Sequence, residues 1–290
     1  MVMKSGSGRI AGSAASSAGQ IGLFAAMAIG IGGMIGAGIF SILGVVAQAA
    51  GTAMWMSFLI GGVVALLSAY SYAKLGACYP SAGGAVEFLV KGFGDGVLSG
   101  GINLYMWIGY IIALALYAQG FTGYAMTFVP PGTPFWLPKA IGVGIVLVFT
   151  AVNTVGARVV GGSETFIVAV KLIILFLFAG AGLFFVQERY LSPESWPAAP
   201  GILFGAGVLF IGYEGFGLIA NAAENMDNPR KLLPKALYLS VVSVILIYVA
   251  VSVAVIGNLD LSAIVRAKDY ALAEAAKPFL GEFGFRLIAV

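Results

Sequence analysis

Seven apolar runs, each near or above the roughly 20 residues that a helix needs to cross a bilayer, follow one another along this chain. They lie near 20–49, 52–77, 97–127, 138–156, 163–187, 201–223 and 236–257, and an eighth begins near Phe279 and reaches Val290. No strand-like alternation interrupts them, and every run exceeds the length of a barrel strand. The chain is therefore expected to be an all-α integral membrane bundle. Charge supports this, because the 15 basic and 12 acidic residues make up only 9% of 290 positions, while 60% are hydrophobic. A water-soluble surface cannot be built from so few charges.

The same scarcity removes whole classes of chemistry. With no histidine and one cysteine, Cys78, histidine triads, zinc sites and disulfides are excluded. A net charge of +3 spread over loops makes no stripe for nucleic acid. No nucleophile–base pair is visible, so an enzyme is not expected. Residues 1–19 are small and polar with two basic side chains and read as a tail outside the bilayer. Ala47-Gln48-Ala49 has the form of a signal cleavage site, but the run before it is too long and another span follows at once.

Lysine and arginine placement sets an orientation. With the N-terminus cytoplasmic, the inner segments hold Lys4, Arg9, Lys74, Lys91, Arg158, Arg230, Lys231 and Lys235, and the outer ones hold Lys139, Arg189, Arg266, Lys268 and Lys277. The majority inside favours that arrangement. The charged connection 258–278 is expected to form a short surface helix on the outer side.

Two spans carry signs of interruption. Gly30 to Phe40 in the first span holds five glycines in nine residues, each costing about 1 kcal/mol of helix propensity against alanine. Such a helix can open, leaving backbone groups that are tolerated at membrane depth only against protein, ligand or a wet cavity. The alternative is that Gly32 and Gly36 form a packing groove for a neighbouring helix. A second interruption, Phe210-Ile211-Gly212-Tyr213-Glu214-Gly215-Phe216-Gly217 in the sixth span, favours opening. Paired breaks in corresponding helices of two halves point to a transporter built from inverted repeats.

Two charges sit within these spans. Glu214 would cost about 2.5–3.5 kcal/mol or more if ionised at mid-membrane, so it is expected to be protonated, paired or water-lined. Lys171 lies about nine residues from Gly161–Gly162, some 13 Å of helix, beyond easy snorkelling to the interface. Gly215 to Ala220 fits a dinucleotide fingerprint, but no strand precedes it. Tyr105, Trp107 and Tyr110 in the third span are read as packing in preference to gating.

Taken together, Ile35–Phe40 (IGAGIF), Pro80–Gly84 with Phe93-Gly94, Tyr213–Phe216, Ala223-Glu224, Asn228–Lys231 and Pro234–Ala236 resemble the motifs of the amino acid–polyamine–organocation (APC) superfamily of permeases, in that superfamily's order. The resemblance implies a LeuT-type bundle of two five-helix inverted repeats. The first repeat would occupy 20–187, and an incomplete second one, 201–290, would stop within its third helix, so the chain is read as a fragment or a natural truncation. It also implies a multi-pass protein of the cytoplasmic membrane that moves amino acids by proton-coupled symport, without a cofactor or metal. Obligate exchange and a non-transporting sensor or subunit are the alternatives. By position, Gly36, Ala37 and Gly38 would meet the substrate carboxylate, with Ile35 and Ile39 beside them in the substrate site. Phe210, Ile211 and Gly212 would take the amino group through their carbonyls and line the side-chain pocket, with Tyr213 also in the substrate site. Lys171 and Glu214 would serve coupling or gating. Ala37 stands where several members carry serine, and Val86 where the loop is usually aromatic.

Overall fold

A computed structural model describes residues 21–155 and 157–289. Among these residues the backbone is helix and turn, with one isolated bridge between Ile21 and Met226. The helices are α1 (Leu23–Met34), α2 (Ala37–Ala50), α3 (Met54–Cys78), α4 (Ala85–Phe93), α5 (Val97–Met126), α6 (Leu137–Val155), α7 (Ala157–Phe184), α8 (Ala199–Leu209), α9 (Gly217–Asn221), α10 (Pro229–Asn258), α11 (Leu261–Ala267) and α12 (Ala271–Ala289).

Six stretches among the described residues are long and apolar enough to cross a membrane, not seven. The difference lies at the first run, whose halves α1 and α2 are separate helices. Its second half continues through a tight turn at Gly51–Ala53 into α3, giving one apolar stretch over Gly38–Cys78. Gly51 has φ +52°, a value that other residues reach only with strain.

The interior is built around α10, which packs on α3, α1 and α7. Its Leu237, Val241, Val244, Val251 and Val255 are completely buried. In contrast, α5 and α6 turn Leu104, Trp107, Ile112, Leu147 and Phe149 outward. Apolar faces of that extent on a soluble monomer would be exceptional, which agrees with a membrane environment. Polar side chains on these helices satisfy themselves locally, as where Thr150 Oγ1 donates to Val146 O at 2.8 Å and Asn153 Nδ2 to Phe149 O at 3.0 Å. This is the arrangement required where water is absent.

The connection after α10 holds the expected short helix, α11, with Ser262 and Arg266 exposed. Asp260 caps α11 by accepting from the Ser262 N–H at 3.0 Å. The other face of this helix is covered, with Ile264 fully buried and α11 packed on α2 and α12. Apolar residues on one face of the segment explain this, because a seven-residue helix gains more from docking than from propensity. The chain breaks again at Gly281, where α12 is non-helical (φ 62°, ψ −160°), close to Phe279 where the eighth apolar run begins.

Candidate functional site: two interrupted helices

The first interruption is a true break. Ile35 N–H makes the last bond of α1, to Ile31 O at 2.8 Å, and Gly36 N–H then turns back to Met34 O at 2.9 Å. With φ −79° and ψ 66° at Ile35, this is an inverse γ-turn. Gly36 is extended, and α2 starts at Ala37 with no side-chain cap. An uninterrupted helix would have paired Gly32 O with Gly36 N–H and Met34 O with Gly38 N–H. Both carbonyls are instead taken by side chains: Lys171 Nζ donates to Gly32 O at 2.8 Å, and the Tyr248 hydroxyl lies 2.6 Å from Met34 O.

The second interruption is milder than expected. Between α8 and α9, Phe210–Phe216 winds as a 3₁₀ helix, and the backbone at both of its ends stays in the right-handed helical region. The segment tightens instead of unwinding, because i→i+3 bonding keeps its amides paired at a depth without water. Gly212 O also lies 3.0 Å from the Tyr248 hydroxyl. One side chain of α10 thus reaches both breaks.

The interrupted segments meet backbone to backbone. A Cβ added at Gly38 would sit 3.1 Å from the Gly212 Cα, and one added at Gly215 would overlap the Gly33 and Met34 backbone. The glycine-rich run therefore serves both readings of its sequence, as a break and as a packing surface.

The other residues named from the sequence fall in different places. Ile35, Ile39 and Tyr213 are buried in the core; the Tyr213 hydroxyl donates to Phe58 O at 2.9 Å. Phe210 and Ile211 are half-buried at its edge. The backbone of Ala37 opens α2, while its side chain lies outside the described residues.

Glu214 lines a cavity of about 490 Å³ together with Gly33, Tyr72, Tyr110 and Asn221. Lys171 lines a second cavity of about 590 Å³ with Ser41, Gly120 and Phe128. The two are arranged in order along α5, from Met106 to Tyr117 and from Tyr117 to Phe128, with Tyr117 a wall of both. Lys171 and Glu214 thus flank the first break from different cavities.

Sequence reasoning missed Tyr248, Tyr72, Tyr117 and Asn221, and it set Tyr110 aside as packing although Tyr110 lines the Glu214 cavity. Tyr105 and Trp107 do point outward. A tyrosine inside an apolar span was the available signal, because a buried phenol requires a hydrogen-bond partner.

Residues 21–290 match the model of the family described as amino acid permease. The chain is 42% identical over 272 residues to the uncharacterized protein MJ0609 of Methanocaldococcus jannaschii, covering 93% of this chain and 62% of that protein. It is 33% identical over 271 residues to the inner membrane transport protein YbaT of Escherichia coli, covering 93% and 63%. Identity to the methylthioribose transporter of Bacillus subtilis is 31% over 252 residues, covering 79% and 53%. The chain thus spans somewhat over half the length of these curated relatives.

Proposed function

The chain belongs to the amino acid permease family, and from that premise we propose that it carries out proton-coupled amino acid symport across the cytoplasmic membrane. The observation that carries this reading is the crossing of α1–α2 and Phe210–Phe216, with Lys171 on a carbonyl of the first break. The first-turn amides of α2, at Ala37 and Gly38, are suited to a carboxylate because a helix N-terminus carries partial positive charge, while the Gly36 N–H is held by Met34 O. The carbonyls of Phe210–Gly212 are suited to an ammonium. Ile35 and Ile39 support the first segment and Tyr213 the second, from the core.

In this reading Lys171 and Glu214 exchange protons with the two cavities, and the apolar surroundings favour neutral amino acids. The N-terminus is cytoplasmic. Residues 20–187 form the first inverted repeat and 201–290 the opening of the second.

The test is uptake of radiolabelled neutral amino acids into proteoliposomes under an imposed pH gradient. Accumulation that collapses with a proton ionophore, and loses its pH response in Lys171→Ala, is expected. Counterflow that requires amino acid on both sides, without net uptake, would replace symport by exchange. Saturable binding with no flux would make the protein a sensor or a non-transporting subunit.

A further inference from the structure

Tyr248 is the one feature joining the two interruptions that neither the motifs nor the proposed roles account for. It lies two-thirds of the way along α10 and is 1% exposed. Its ring stands edge-on to Phe58 at 5.5 Å between centroids and tilted against Tyr213 at 5.1 Å. A Cβ at Gly212 would touch its Cε2 at 3.6 Å, so the ring rests on the second break itself. Close packing on three sides holds the ring in one rotamer.

At the tip, the hydroxyl lies 2.6 Å from Met34 O and 3.0 Å from Gly212 O. A phenol has a single proton, so it donates to one carbonyl while remaining within reach of the other. Both acceptors belong to the interrupted segments, 178 positions apart in sequence (34 and 212). A group held rigidly in a core and bonded to both sets their separation and relative rotation.

We infer that Tyr248 is a positioning residue that holds the α1 break and the 3₁₀ segment in register, so that the first-turn amides of α2 and the Phe210–Gly212 carbonyls face one ligand. This rests on the transport reading above and goes beyond it, since Tyr248 acts through the backbone and does not touch the ligand. The physical basis is that a binding constellation must be held within a fraction of an ångström by packed supporting groups. The two segments already touch backbone to backbone at Gly38 and Gly215, and the Tyr248 hydroxyl adds a directional bond to that contact.

The experiment compares wild type, Tyr248→Phe and Ser57→Ala. Tyr248→Phe removes only the hydroxyl. Ser57→Ala removes a comparable buried bond, Ser57 Oγ to Ile202 O at 2.7 Å, which joins α3 to α8 away from both breaks. The twenty proteinogenic amino acids are screened by thermal shift on purified wild type, and the best stabiliser is the probe for uptake in proteoliposomes. Both variants should unfold at lower temperature. Tyr248→Phe alone should raise KM for the probe, on the order of tenfold, with maximal rate little changed, and should shrink the thermal shift that the probe produces.

Equal KM values in the two variants, or a Tyr248→Phe loss confined to unfolding temperature and maximal rate, would reduce Tyr248 to a structural bond and overturn the inference while leaving transport intact. Wild type that neither binds nor moves any of the twenty would remove the transport reading, and the inference with it. If Tyr248→Phe does not yield folded protein, Phe58→Leu tests the same geometry, since it removes the ring that stands edge-on to Tyr248 at 5.5 Å and lets the phenol shift. It should raise KM likewise, and an unchanged KM would again overturn the inference.

Discussion

The ammonium of Lys171 and the carbonyl oxygen of Gly32 are 2.8 Å apart, and that carbonyl is the one a continuous first helix would have bonded to Gly36. A charge inside a span is costly, and so is a backbone acceptor left unpaired at membrane depth. Here each offsets the cost of the other. The pairing also lets one proton on Lys171 report on the state of the break, because a neutral amine is a weaker donor than an ammonium.

Lys171→Met is therefore expected to lower stability by about 1.5–3 kcal/mol, the range for a hydrogen bond to a charged group, although methionine fills the same volume. Thermal unfolding in detergent measures the loss. Uptake by this variant should be flat across a pH series in which the wild type responds.

Where the two breaks cross, glycine is required at one position and optional one turn or two away. Gly215→Ala would drive a methyl into the Gly33 and Met34 backbone, which cannot swing aside as a side chain can, so a loss of about 1–3 kcal/mol is expected. Gly207→Ala in α8 meets nothing within 4 Å and should be neutral or stabilising by about 0.5–1 kcal/mol. Paired melting curves of the two variants check both signs. Equal effects would show that the crossing is not backbone to backbone.

Asp260 provides a test outside the membrane spans. Hydrogen bonding from Ser262 holds its carboxyl below the ordinary aspartate range, with Arg266 helping to a smaller degree. Because the folded pKa is depressed, the cap's contribution is complete above the unfolded value and is lost as pH falls through the folded one. At neutral pH Asp260→Ala should cost about 0.5–2 kcal/mol, as for other N-caps. Asp260→Asn keeps an acceptor and should cost little there, while removing this residue's share of the acid-induced loss. Unfolding temperature followed from pH 7 into the acid range distinguishes the three proteins.

Span positions were readable from the sequence because length and hydropathy alone set them, and the break at Ile35-Gly36 was readable because glycine clusters weaken a helix wherever they occur. The milder form of the second break was not. Phe210–Phe216 and Gly30–Phe40 are both glycine-bearing, but only tertiary packing decides between a γ-turn and a 3₁₀ winding. The burial of Ile264 was hidden for a related reason, since a short charged connection gives no sign of the groove beside α2 that receives it. Tyr248 escaped notice because its partners are backbone carbonyls, which any residue could supply.

Cys78 offers a direct check on orientation. It is the sole cysteine of the 290 residues, it is exposed, and it ends α3 just before the Pro80–Gly84 loop that the positive-inside reading places in the cytoplasm. That loop is fastened to the segment after α9, where the Ala82 N–H donates to the Glu224 carboxylate at 3.1 Å. Both connections should therefore lie on the same side of the membrane. A membrane-impermeant maleimide added to intact cells should leave Cys78 unmodified, and the same reagent added to inside-out vesicles should label it. A cysteine introduced at Lys139, in the first turn of α6, should show the opposite pattern. Labelling of Cys78 from outside intact cells would invert the topology and move the Glu214 cavity, whose walls include Gly83 and Val86, to the extracellular face.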